Sequence, residues 1–175
     1  MRYLAAAVCL VALLSIPAHA RDVGERLAPD TALGTDLAGE PMTLARCGGK
    51  PTLLVFWASW CSDCMRELPT VQALHKVWRD KATVLGVSTD ASERDLRKFL
   101  KKNAERFTIT VSHDEDGGSA RAFDVRELPT SLLIDRDGTV RWRRVGFDDE
   151  WLDSLDAALK TLAKPNGPQP EERSS

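Results

Sequence analysis

Two cysteines three residues apart, in Trp60-Cys61-Ser62-Asp63-Cys64, are the residues of this sequence best suited to chemistry. They stand between an apolar run, Thr52 to Ala58, and a stretch with apolar residues at helical spacing. At the start of a helix, cysteines at this spacing can face one another and close a disulfide. Cys61 then lies at the helix N-terminus, where unpaired N–H groups and the positive end of the dipole lower a thiol pKa from about 8.5. A thiolate attacks a disulfide, a mixed disulfide forms, and a second thiol resolves it. In that scheme Cys61 is the nucleophile and Cys64 the resolving cysteine. Two plainer readings compete. A purely structural bridge here closes so small a ring that it constrains the unfolded chain little. Half of a zinc site needs a second Cys/His pair, and Cys47, His75 and His113 are not at ligand spacing.

Other residues near the pair modulate this chemistry. Glu67 follows Cys64 by three residues, about one helical turn, and so can lie below the cysteines. The alternative is a solvated acid that suits the early turns of a helix. Asp63 sets a negative charge beside the thiols, which disfavours the thiolate and favours the disulfide, although solvent and salt screen it. Stabilising the disulfide by about 1.4 kcal/mol lowers the potential by about 30 mV, so the pattern points to a reducing protein. Cys47, in Arg46-Cys47-Gly48-Gly49, falls in a predicted loop. It reads as a free bystander thiol, with a regulatory or intermolecular disulfide as the alternative. Phe56, Trp57 and Trp60 read as core and site wall. His75 and His113 read as surface residues, and Lys98, Lys101 and Lys102 as a solvated helix face. Asp114 to Asp116 lacks the ligand pattern of a calcium loop.

The elements that must position these residues follow from periodicity and turn signals. Residues 21–50 predict a small hairpin turning at Gly39-Glu40-Pro41. Thr52 to Ala58, apolar on both faces, predicts a buried central strand. Ser62 to Asp80 predicts a helix with Leu68, Val71, Leu74, Val77 and Trp78 inward and a kink at Pro69. A second buried strand is predicted over Thr83 to Thr89, then a charged helix over Ser92 to Asn103 and a short strand over Thr108 to Val111. Gly117-Gly118 opens a short helix through Phe123. Ser131 to Ile134 and Thr139 to Val145 form a hairpin about Asp137-Gly138, and Asp149 to Leu162 is a closing helix with Trp151, Leu155, Ala158 and Leu159 inward. This order predicts an α/β fold, a mixed sheet with helices on both faces.

The chain has 175 residues with a formal net charge of −2, the length of one domain and the wrong charge balance for a nucleic-acid binder. Arg2, the apolar run Leu4 to Leu14 and Ala18-His19-Ala20 read as an export signal over residues 1–20, with an uncleaved membrane anchor as the alternative. The run is too short to span a bilayer, which takes about 20 residues. The domain is expected over 21–164, followed by a disordered tail over 165–175. An exported, soluble, periplasmic protein is expected. Cys9 leaves with the signal, so three cysteines remain, too odd a number for a structural disulfide framework.

Strand, C-x-x-C and helix in this order resemble a thioredoxin-like fold. The stretches Phe56–Pro69, Val84–Asp90 and Phe123–Gly138 resemble the exported thiol–disulfide reductase group that includes TlpA, ResA and the cytochrome c maturation thioredoxins. The inserted helix and strand between Ser92 and Val111 fit that group. The resemblance covers roughly residues 23–163. It implies that Pro129 is a cis-proline facing the cysteines, an isomer otherwise found in only about 5–6% of X–Pro bonds. It implies that Trp60 and the Leu128-Pro129-Thr130 loop hold the substrate backbone, and that Glu67 is an active-site acid moving a proton to or from Cys64. Ordinary thioredoxins carry a buried aspartate where this chain has Val55, so Glu67 or water must take over that task. No organic cofactor and no metal are implied. The partners implied are client proteins with disulfides, such as apocytochrome c or a copper protein, and a membrane thiol-reducing electron donor; a monomer is expected. A copper(I)-binding module using both thiolates and an oxidant or isomerase of the same fold remain as alternatives. A peroxidase lacks its Thr/Ser-assisted cysteine loop here.

Overall fold

The structure, a computed structural model, describes residues 22–78 and 80–162. The expected export signal and the expected disordered tail lie outside the described residues. In chain order the elements are β1 (Ala32–Asp36), β2 (Pro41–Thr43), a 3-10 turn (Leu44–Cys47), β3 (Thr52–Trp57), α1 (Ser62–Trp78), β4 (Thr83–Ser88), α2 (Glu93–Lys102), β5 (Thr110–His113), α3 (Gly118–Ala122), β6 (Thr130–Ile134), β7 (Val140–Val145) and α4 (Trp151–Leu162).

One seven-stranded sheet runs in the order β2-β1-β5-β4-β3-β6-β7. β3 pairs parallel with β4 and antiparallel with β6, and it is buried on both faces as its unbroken apolar run demands. Alternate β3 side chains divide the interior. Leu53, Val55 and Trp57 join Leu68 and Val71 of α1, Leu96 of α2, and Trp151 and Leu155 of α4. Leu54 and Phe56 point to the other face, with Phe123 and the N-terminal Leu27, Leu33, Met42 and Cys47. Three helices therefore share one face, while α3 and the N-terminal segment cover the other. α2, the inserted helix, is held there by Phe99 and Phe107, whose rings lie 5.3 and 5.2 Å from that of Trp57. Gly86 of β4 leaves room for that indole: a Cβ there would stand 2.9 Å from Trp57 Nε1.

The structure adds to the sequence reading at one edge of the sheet and departs from it elsewhere. The predicted N-terminal hairpin forms, β1 against β2, and β1 also pairs antiparallel with β5 and so extends the sheet. Gly34 makes this possible, since a Cβ at its left-handed backbone (φ +79°) would stand 2.4 Å from the His113 carbonyl oxygen. β5 begins two residues later than predicted, at Thr110, because its register is set by β4 and β1. Val77, expected inward, is 76% exposed, while its neighbours Leu74 and Trp78 pack against the core. His113, expected on the surface, is buried. α1 itself continues through Pro69.

Candidate active site

Cys61 and Cys64 form a disulfide across the first turn of α1, with Cα atoms 5.2 Å apart. Cys61 is the residue before the helix. Its sulfur takes the capping position of a helix start, accepting the backbone N–H of Cys64 at 3.1 Å. A tight turn leads into it, closed by Cys61 N–H donating to the Ala58 carbonyl at 3.1 Å. Cys64 is fully buried, whereas Cys61 keeps 7% exposure. Of the two sulfurs, Cys61 is the one an external disulfide can meet.

Cys61 opens into a groove of about 330 Å³ lined by Trp60, Thr89, Ala120, Val125, Arg126 and Leu128. Trp60 is 72% exposed, an unusual position for an indole, and forms one wall. The Leu128–Pro129 peptide bond is cis, and the Pro129 carbonyl accepts from Gly146 N–H at 2.8 Å. Thr130, expected against substrate, does not line the groove. It is the buried first residue of β6, and its hydroxyl donates to the Glu127 carbonyl at 2.7 Å. Thr89, Ala120, Val125 and Arg126 take that place. Their contribution was hidden in the sequence because three elements distant along the chain converge there.

Glu67 lies one turn beyond Cys64 on the buried side of α1. It is fully buried, not the solvated acid that was the alternative. Ser131 of β6 donates to Glu67 Oε1 at 2.7 Å, while Oε2 has no hydrogen-bond partner. Burial raises the carboxyl pKa to about 7; Ser131, and the Trp151 indole standing short of hydrogen-bond geometry, pull it back only in part. Ser131 is the strand partner of Val55. The acid therefore reaches, from the helix, the part of the sheet where Val55 offers no proton carrier.

A second buried carboxylate, Asp90, was not singled out in the sequence. It follows β4 and accepts Ser59 N–H at 3.1 and 3.0 Å on its two oxygens, the Ser59 hydroxyl at 2.6 Å and the Ser88 hydroxyl at 2.7 Å. His113 Nε2 lies 2.6 Å from its backbone carbonyl, which explains the burial of that histidine. Asp114, read as part of an acidic loop, is buried too and accepts the Ser119 and Ala120 N–H groups at the start of α3. The signal available was the close run Ser88-Thr89-Asp90 at the end of a strand parallel to the one leading to Cys61.

Asp63 is exposed and pairs with Arg66 at 3.2 Å. Cys47 is free and buried in the 3-10 turn, and burial pushes its thiol pKa up. Its sulfur is shielded from solvent, which removes the ready access that a regulatory disulfide needs. His75 is half-buried late in α1, away from the cysteines in sequence and structure. Among the described residues no group of three or more His, Cys, Asp or Glu could hold a metal ion, and no helix is long and apolar enough to cross a membrane.

The chain is similar to known proteins over most of its described length. A family profile described as AhpC/TSA matches residues 24–143. The chain is 36% identical over 122 residues to the thioredoxin-like protein YneN of Bacillus subtilis, covering 68% of this chain and 69% of YneN. It is 34% identical over 108 residues to the thiol-disulfide oxidoreductase ResA of Bacillus thuringiensis, spanning only 61% of each. A crystal structure described as a thiol:disulfide interchange protein DsbE from Chlorobium tepidum superposes with a TM-score of 0.70 at 33% identity. It covers 81% of this chain and 97% of that one. The fold is thioredoxin-like.

Proposed function

The chain belongs to the AhpC/TSA family, and on that premise we propose that it is an exported thiol–disulfide oxidoreductase that reduces disulfides in client proteins. The observation that carries this reading is the asymmetry of the pair. Cys61 opens into an apolar groove at a helix N-terminus, and Cys64 is sealed behind it above a buried acid.

In the reduced protein the Cys64 N–H is placed to donate to the Cys61 thiolate, as it does to the sulfur now. That thiolate attacks one sulfur of the client disulfide and releases the other as a thiolate. The Cys64 thiol then passes its proton to the Glu67 carboxylate and attacks the Cys61 sulfur. The second client thiolate leaves, and the Cys61–Cys64 disulfide is restored. Glu67 suits this step because a pKa of about 7 keeps both of its protonation states populated near neutrality. Trp60, Leu128 and the cis-Pro129 turn hold the client chain beside Cys61. Electrons return from a membrane thiol-reducing partner. Apocytochrome c cysteines, or copper-ligand thiols that must stay reduced, are clients of the right chemistry.

The test is the reduction potential of the pair in thiol redox buffers. A value near or below about −270 mV supports a reductase, and one near about −120 mV makes the protein an oxidant instead. Client capture with Cys64→Ala, which cannot resolve the mixed disulfide, then identifies substrates.

A further inference from the structure

We propose that Asp90 is a positioning residue for Cys61: it fixes the turn that carries the nucleophile and holds a buried negative charge near it, biasing the pair toward the disulfide and the protein toward reduction. The inference rests on the proposed exchange at Cys61.

The geometry begins with two parallel strands. β3 and β4 end side by side, Trp57 opposite Ser88. β3 runs on into Ala58-Ser59-Trp60-Cys61, and β4 into Thr89-Asp90. The Asp90 carboxylate bridges the two exits. It binds the Ser59 backbone N–H with both oxygens and the hydroxyls of Ser59 and Ser88 besides. Ser59 is thereby held through main chain and side chain together, two residues before Cys61. Thr89 N–H adds a bond to the Trp57 carbonyl at 2.8 Å. Asp90 is held in turn, its own N–H on Ser88 Oγ at 3.2 Å and its carbonyl on His113. Asp114 N–H reaches the Ser88 carbonyl at 2.8 Å, and the Asp114 carboxylate holds the N–H of Ala120, a residue of the groove wall. One buried polar cluster thus anchors both the nucleophile's turn and the wall facing it.

The charge matters as well as the clamp. All four contacts on the carboxylate are donors, the pattern that suits an ionised acid, and all four are neutral. Among the described residues no cation ion-pairs with it: Arg126, in the groove wall beside Cys61, is paired with Asp124 at 2.8 Å, and His113 meets the Asp90 backbone carbonyl, not the carboxylate. Buried charge is screened far less than exposed charge. A negative charge held on Ser59, two residues before Cys61, disfavours the Cys61 thiolate and leaves the uncharged disulfide unaffected. Asp63, the acid nearest in sequence, is exposed and paired with Arg66, so it is the weaker source of this bias.

The experiment compares wild type, Asp90→Asn and Ser59→Ala as full chains in glutathione buffers. Two glutathione thiols reduce the Cys61–Cys64 disulfide to two thiols and leave glutathione disulfide, so the equilibrium constant reads the potential. Asp90→Asn is expected to shift that constant about tenfold toward the dithiol, about 30 mV, and to move the pH profile of Cys61 alkylation to lower pH. Ser59→Ala keeps the charge but strips a donor from it, and is expected to shift the constant about threefold the other way. A residue that merely holds the fold stabilises both redox forms equally. Unchanged potential and unchanged alkylation profile in Asp90→Asn, with equal loss of stability in both forms, would overturn the inference. If Asp90→Asn does not fold, an unshifted Ser59→Ala overturns it. Failure of the underlying reading is distinguishable, because there the wild type itself shows an oxidant's potential.

Discussion

Of the three buried carboxylates around this site, Glu67 and Asp90 are treated in opposite ways. Glu67, on α1, receives one hydroxyl and leaves its second oxygen without a partner. Asp90, at the end of β4, receives a backbone N–H on both oxygens and two hydroxyls. Burial penalises the charged form of Glu67, and its single hydroxyl donor offsets that penalty only in part. Glu67 is left short of donors, so its pKa rises to about 7 and it can exchange a proton near neutrality. Asp90 is surrounded by them and serves as a fixed anchor. Two equally buried acids thus differ in how many donors they receive, and only Glu67 keeps an oxygen free of partners.

The sharpest way to break this contrast is to remove Asp90. Asp90→Ala leaves the Ser59 N–H and two hydroxyls without their acceptor. At about 1–3 kcal/mol for each buried donor left unpaired, and with the hydroxyls free to turn toward one another, the loss is roughly 4 kcal/mol. Denaturant unfolding of the oxidised protein measures it. A loss under about 1 kcal/mol would mean that water replaces the carboxylate and that the anchor is dispensable.

Neutralising Glu67 is expected to do the reverse. Its pKa is 4.5 as an ordinary glutamate and about 7 when folded. The folded state therefore binds the proton more tightly. Its stabilising effect is complete below pH 4.5, is lost as pH rises, and is gone above about pH 7. The shift corresponds to about 3 kcal/mol across that window. Glu67→Gln removes this slope, so the variant gains on wild type as pH goes from 4 to 8. Unfolding free energies at four or five pH values decide it. Parallel curves for the two proteins would place the titration elsewhere.

The contrast also marks what the sequence can reveal. The C-x-x-C motif, the strand before it and the helix after it are local patterns, and each was legible. Glu67 was placed below the cysteines by the turn of a helix. Its surroundings were not visible, since its partner Ser131 and the nearby Trp151 come from a strand and a helix more than sixty residues away. Asp90 and His113 looked like ordinary polar residues because their burial is decided by neighbouring strand ends and not by their own segments. The same holds for the N-terminal hairpin. Its turn was readable, but its pairing with β5 depends on a close approach at Gly34, which leaves no periodic trace.

The smallest expected effect tests the comparison from outside. Asp63 lies between the two cysteines, closer in sequence than either buried acid. Its side chain keeps 55% of its exposure, and Arg66 sits 3.2 Å away. Water and a neighbouring cation both weaken its field, and exposed pairs of this kind contribute little. Asp63→Asn is therefore expected to move the glutathione equilibrium constant by less than about twofold, well below the change from Asp90→Asn. Raising the salt concentration should shrink even that difference, while leaving the effect of the buried acid nearly intact. If Asp63→Asn instead shifted the constant more than Asp90→Asn, proximity would outweigh burial. The reducing bias would then belong to the exposed dipeptide of the motif.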